Sequence, residues 1–201
     1  MDFEAIKNTL TGKGYVVTVF DSSKDACDYL ATEINNKTVG IGGSMTVQEM
    51  GLYDRLAGHN QVFWHGKTYA QKTPDEIRAL ANSAEIYISS VNGLAETGEI
   101  INIDGACNRV SSICYGHKKV YFVVGENKIA KNYEEALFRA RNVAAPKNAK
   151  RLGKRTPCAI KGDKCYNCNS PERICRVLSV WWEKPSQGEY EVVLIKENLG
   201  Y

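Results

Sequence analysis

The chain has 201 residues, 43% of them hydrophobic and 24% charged, with a formal net charge of +3. Values this near the globular average exclude a disordered or collagen-like chain, and so small a charge neither demands nor excludes an anionic partner. No stretch approaches the roughly 18 uninterrupted apolar residues that span a bilayer, and the acid-bearing N-terminus lacks the apolar core of a signal peptide, so a cytoplasmic location is expected. In that reducing compartment the seven cysteines are expected to be ligands, buried fillers or redox groups rather than disulfides.

Taken in chain order, Phe3 to Leu10 carries apolar residues at helical spacing, and Gly12 and Gly14 end the pattern. Tyr15 to Phe20 is a β-branched and aromatic run that reads as a buried strand. Asp21-Ser-Ser caps a helix lasting to about Ile34. Thr38 to Ile41 is a second strand, running through Gly42-Gly43-Ser44 into a helix over Met45 to Leu56. Gln61 to Trp64 is a third. Thr73-Pro-Asp-Glu76 combines a capping box with proline at the first helical position, and its helix is expected to last to Asn82. Ile86 to Ser90 and Lys119 to Val124 are further buried strands. Asn132-Tyr-Glu-Glu135 opens a helix that Pro146 is expected to stop. Two more strands, Val177 to Glu183 and Tyr190 to Lys196, are joined by a Pro-Ser-Gln-Gly turn.

Strands alternating with helices predict an α/β chain with a mostly parallel sheet covered on both faces, whose ligands lie beyond the carboxyl ends of strands. Residues 1–146 form that domain. Residues 147–201 read as a cysteine-rich segment followed by terminal strands packed on the same domain.

The segment 146–176 holds three of the five prolines and four of the seven cysteines, with little apolar matter, so something must hold it. Cys158, Cys165, Cys168 and Cys175 lie within eighteen residues, symmetrically about a Cys-x2-Cys pair that turns two thiolates to one side. Compact runs of this kind supply the four thiolates of a [4Fe–4S] cluster. Structural zinc, the alternative, more often takes two Cys-x2-Cys knuckles. Lys154, Arg155, Lys161, Lys164, Arg173 and Arg176 give weak further support, since cations stabilise thiolates but also simply solubilise loops. Cys27 and Cys114 read as buried filler, and Cys107 lies beside the polar stretch described next.

Val39-Gly-Ile-Gly-Gly-Ser-Met-Thr46 is a strand, a glycine turn and a helix start. Gly42 and Gly43 allow close backbone approach, while Ser44 and Thr46 offer hydroxyls to a carboxylate or phosphate or serve as caps. Glu96, Thr97, Glu99, Asn102, Asp104, Asn108 and Arg109 fall within fourteen residues. Glu96, Glu99 and Asp104 are candidates for proton handling, with Thr97, Asn108 and Arg109 as ligand contacts; a strand with one solvated face is the plainer reading. His59 and His117 flank turns and read as surface residues. His65, after a strand, is the one histidine at a conceivable pocket position. Basic residues do not interleave with aromatics over a surface, so nucleic acid is not an expected partner.

As a set, Val39-Gly-Ile-Gly-Gly-Ser-Met-Thr46, Ala95-Glu-Thr-Gly-Glu-Ile100 with Asn102-Ile-Asp-Gly105 and Asn108-Arg109, Val123-Val-Gly-Glu-Asn-Lys-Ile129 and Arg139-Ala-Arg-Asn-Val-Ala-Ala-Pro146 resemble the lactate-utilisation (LUD) domain family. Lys164-Cys-Tyr-Asn-Cys-Asn-Ser-Pro-Glu-Arg-Ile-Cys175 looks like the tail of a shorter subgroup with its own cysteine site. The resemblance implies a three-layer α/β/α fold like that of ribose-5-phosphate isomerase and the CoA transferases, which bind sugar phosphates, CoA esters or folates near glycine loops. It also implies oxidation of a small anionic metabolite as in lactate utilisation, a redox protein partner, and a homodimer. An iron–sulfur oxidoreductase or redox component is therefore expected. A non-catalytic cluster- or zinc-stabilised subunit, and an isomerase- or transferase-like enzyme with a structural metal, are the alternatives.

Overall fold

The computed structural model describes residues 1–201. Its strands are β1 (Val16–Phe20), β2 (Thr38–Ile41), β3 (Gln61–Trp64), β4 (Ile86–Ser89), β5 (Gly93–Ala95), β6 (Ile100–Asp104), β7 (Lys119–Gly125), β8 (Ile129–Ala130), β9 (Val177–Trp181) and β10 (Glu189–Ile195). Six form the main sheet in the order β1-β10-β7-β4-β2-β3, and every neighbouring pair is parallel. The others form a second sheet, β8-β5-β6-β9.

Strands buried on both faces must be apolar at successive positions, and β7 and β10 are. Val120, Phe122 and Val124 of β7 join Tyr190, Val192 and Leu194 of β10 on one face, against Ile6, Leu10, Ile77 and Ala81 of two helices. Tyr121 and Val123 join Val193 and Ile195 on the other, against Ala26, Leu30, Val47, Leu52 and Leu56. This is the α/β/α layering expected of the sequence. On the first face the second sheet also takes part. Leu94 and Ile100 point inward to the main core, while Ala95 and Ile101 point outward to Ala136 and Ala140 of the helix beginning at Tyr133.

Several local expectations change. The helix over Met45 to Leu56 is two, Met45–Glu49 and Leu52–Ala57, because Gly51 takes a left-handed φ of 66° between them. Pro146 does not end its helix. The α-helix Tyr133–Arg139 widens into a π turn over Ala140–Ala144 and continues as Ala145–Arg151, with Pro146 at the start of that last stretch. Proline lacks an N–H and crowds the carbonyl four residues back; the wider turn accommodates both. The last two strands lie in different sheets. β9 pairs antiparallel with β6, and β10 inserts between β1 and β7. Cys27 is buried as expected, but Cys114 is exposed at the end of helix Asn108–Cys114. His59 and His117 are half-buried, each bonded to a backbone carbonyl, of Ala31 and Ala84 respectively. No helix is long and apolar enough to cross a membrane.

Candidate functional site

The carboxyl ends of β2, β3, β4 and β7 face one cleft of about 340 Å³. After β2 the chain crosses one face of the sheet to reach β3, whereas after the adjacent β4 it crosses the other face, the arrangement that opens a crevice between two neighbouring parallel strands. Gly43 and Ser44 reach the cleft from β2, His65 from β3, Ser90 and Asn92 from β4, and Lys128 from the turn after β7. Asp104, Asn108 and Arg109 form another wall, with Arg151 of the long helix and Tyr201 of the C-terminus opposite.

Arg109 organises the wall. It is 9% exposed. Nη1 donates to the Ser90 carbonyl and to Asn102 Oδ1, and Nη2 donates to Asn92 Oδ1 at 3.0 Å and the Ile103 carbonyl at 2.8 Å. All four Nη protons are thus spent on β4, β5 and β6 ends. Burial lowers its pKa from the usual arginine value, and Asp104 opposes that shift. The residue therefore supplies positive charge to the cleft rather than a free fork. Asp104 is equally committed. Oδ1 accepts from the Gly105 and Cys107 amides, and Oδ2 accepts from the Val110 amide at 3.1 Å, closing the first turn of helix Asn108–Cys114. Its Oδ2 lies 4.0 Å from Arg109 Nε.

The glycine turn has structural reasons of its own. A Cβ on Gly40 would lie 2.3 Å from the Ala81 carbonyl oxygen, and one on Gly42 would lie 3.1 Å from the Arg109 side chain. Gly42 thus makes room for Arg109, while Gly43 borders the cleft beside His65. Ser44 Oγ accepts from the Val47 amide as a helix cap. Thr46 is buried behind the cleft and does not line it.

Glu96, Thr97 and Glu99 lie elsewhere. They form the turn between β5 and β6, at the end of that hairpin remote from Asn92 and Asp104. Thr97 Oγ1 bonds Glu99 there. The three are absent from the cleft walls because the hairpin separates them from its other end.

Lys128 was not legible as a site residue. Its side chain is 3% exposed, yet it lines the cleft. Nζ donates to Thr46 Oγ1 at 2.7 Å and Ser90 Oγ at 2.9 Å. Burial first, then Arg139 and Arg109, push its pKa down to about 7, with Glu49 opposing. His65 is likewise pushed down, by burial and then by Arg78. With Arg78, Arg109 and Arg151 against Asp104, the cleft is electropositive even without the Lys128 charge.

The four clustered cysteines converge beside this cleft. Cys158, Cys165, Cys168 and Cys175 all line one small cavity of about 10 Å³, and Cys165 and Cys175 also border an adjoining one of about 270 Å³. All seven cysteines are free thiols. Nowhere are three His, Cys, Asp or Glu side chains gathered as ligands of a single ion. The residues suit a thiolate-ligated group: four cysteines border one void, and hydrogen-bond donors face one of their sulfurs. The Asn167 amide donates to Cys165 Sγ at 3.4 Å, and Arg141 Nη2 lies 4.0 Å from the same sulfur. Arg173 fastens the loop, donating to the Cys175 and Cys168 carbonyls, each at 2.9 Å. Arg141 and Asn142, whose Oδ1 accepts from the Cys165 amide, both come from the π turn. Such turns recur at functional sites. Arg141 was missed because it lies far upstream of the cysteines.

Two walls are shared. Ile174 and Ala145 line both the cleft and the cysteine cavity.

A family model described as LUD domain matches residues 3–195. Among solved structures, the chain is similar to a DUF162 family protein from Deinococcus radiodurans, with 12% identity and a TM-score of 0.55 over 96% of this chain and 95% of that one. At that identity the likeness speaks for the fold alone. A match to eIF2B beta from Chaetomium thermophilum covers 56% of this chain and 44% of that one, at 13% identity and a TM-score of 0.38, too low to carry an argument. No curated protein matches.

Proposed function

The chain belongs to the LUD domain family, and from that premise we propose that it is an iron–sulfur redox protein acting on a small carboxylate or phosphate metabolite bound in the cleft. Cys158, Cys165, Cys168 and Cys175 hold the [4Fe–4S] cluster. When bound, the cluster supplies single-electron storage and transfer. The observation carrying this reading is the shared wall: Ile174, next to Cys175, has one side on the cleft and the other on the cysteine cavity. A bound anion and the thiolates are then separated by little more than one apolar side chain.

The electropositive cleft favours an anion, and Arg109 contributes its charge while remaining bound to the strand ends. Arg151 retains an uncommitted Nη1, its other nitrogens bonding Asn148 and Tyr201. Ile174 and Ala145 keep the thiolate side of the cleft apolar and exclude water from it.

Anaerobic purification with iron, sulfide and zinc analysis tests the cluster. About four iron and four sulfide per chain are expected, with the colour lost in Cys165→Ser while the fold persists. One zinc and no colour would instead make the segment a structural clip.

A further inference from the structure

Glu126-Asn-Lys128 forms a single 3-10 turn directly after β7, one of the four strands whose carboxyl ends face the cleft. Emerging there, the Lys128 side chain runs inward to Thr46 and Ser90 rather than out to water. Its two partners are hydroxyls whose own protons are already placed. Ser90 Oγ donates to the Val123 carbonyl at 2.6 Å, and Thr46 Oγ1 donates to the Leu199 carbonyl at 3.1 Å. Each hydroxyl can therefore only accept from Lys128. The amine is held by two N–H bonds, and its third valence has no protein partner at a position lining the cleft.

The charged groups around it come from three helices. Arg109 and Arg139 oppose protonation, and Glu49 favours it weakly. No carboxylate bonds Nζ. Once the remaining proton leaves, an amine donating to two hydroxyls has its lone pair directed away from both, and in that form it is a nucleophile rather than a counter-ion.

We propose that Lys128 is a covalent-binding residue whose Nζ captures a carbonyl compound carrying an anionic group, a 2-oxo acid by class, as an imine. This deepens the reading of the cleft as the metabolite site, on which it rests, and is independent of the cysteine site. Nζ attacks the carbonyl carbon, forming the C–N bond while the carbonyl π pair takes a proton to give a carbinolamine. Loss of the hydroxyl as water, with the second amine proton, leaves the imine. The balance is amine plus carbonyl to imine plus water, and it needs no oxidant or reductant. Protonation to the iminium would add charge beside Arg109 and Arg139. An anionic group on the substrate offsets it, which is why an oxo acid fits and a neutral ketone does not.

The test is trapping of 2-oxobutyrate with cyanoborohydride near neutral pH, followed by peptide mapping, with 2-oxobutyrate binding measured separately by saturation-transfer NMR. Labelling at Lys128 should exceed that of any exposed lysine by at least about tenfold, because an ordinary lysine is almost wholly protonated there. Excess butyrate should slow it, and butanone should trap poorly. Lys128→Met, in which both hydroxyls keep their donated bonds, should lose the adduct yet retain binding. Binding without an adduct at Lys128 overturns the imine and leaves the cleft reading standing. Adducts spread evenly over exposed lysines, with no specific binding, overturn both.

Discussion

Gly105 lies directly against Ile174: a Cβ at Gly105 would sit 2.7 Å from the Ile174 carbonyl oxygen. The Arg176 amide donates to the Asp104 carbonyl at 2.9 Å alongside. The wall of the cleft and the loop bearing Cys175 are thus held in one backbone contact, where a side chain would have to push them apart.

Gly105→Ala should therefore lower metal content per chain and the affinity of the cleft for anions together, since backbone atoms on the other side cannot swing away. Gly58→Ala, where nothing lies within 4 Å, is the control and should change neither. Metal analysis and anion titration of the two variants read the difference.

Arg109→Met should destabilise by about 3–5 kcal/mol, because it leaves Asn102 Oδ1 and two carbonyls buried without their donor and Asp104 without its nearby cation. Arg109→Lys should recover little of this, since one ammonium cannot replace four placed N–H bonds. Urea midpoints measure both.

Lys128 makes stability depend on pH with a definite sign. In the unfolded chain the amine keeps its proton up to about 10.5, and in the folded chain it loses it near 7. Between those values the unfolded state binds more protons, so stability rises with pH there. The gain of wild type relative to Lys128→Met should reach about 1.4 kcal/mol per pH unit in that window. A difference independent of pH would contradict the buried, neutral amine.

Glu96→Gln and Glu99→Gln should leave anion affinity unchanged, to within about 0.5 kcal/mol in stability as well, because their turn lies at the remote end of the β5–β6 hairpin. A large loss of anion binding in either would bring that turn back into the site.

What the sequence made legible was local. The Thr73 side chain accepts from the Glu76 amide and Glu76 bonds back to Thr73, as four adjacent residues declare. β2 and β3 have the bounds their β-branched and aromatic runs indicate. The break at Gly51 and the π turn before Pro146 were not legible, since each depends on what the helix must pack against. Pairing was harder still: β9 and β10 are neighbours in sequence yet lie in different sheets. Lys128 sits in a polar turn, and the groups that hold its Nζ inside, Thr46 and Ser90, are both far from it in the chain. Arg109 was expected as a ligand contact and lines the cleft, but its Nη protons being spent on four acceptors was not legible.

The central claim is that cleft and cysteines form one redox unit across Ile174. Potentiometry of the anaerobically purified protein, with and without a saturating carboxylate in the cleft, tests it most directly. An anion beside the thiolates disfavours the added electron, so the reduction potential should fall on binding, and by linkage reduction should weaken the anion's affinity by the same factor. A potential unmoved by a saturating anion, or a colourless protein carrying one zinc, would contradict it.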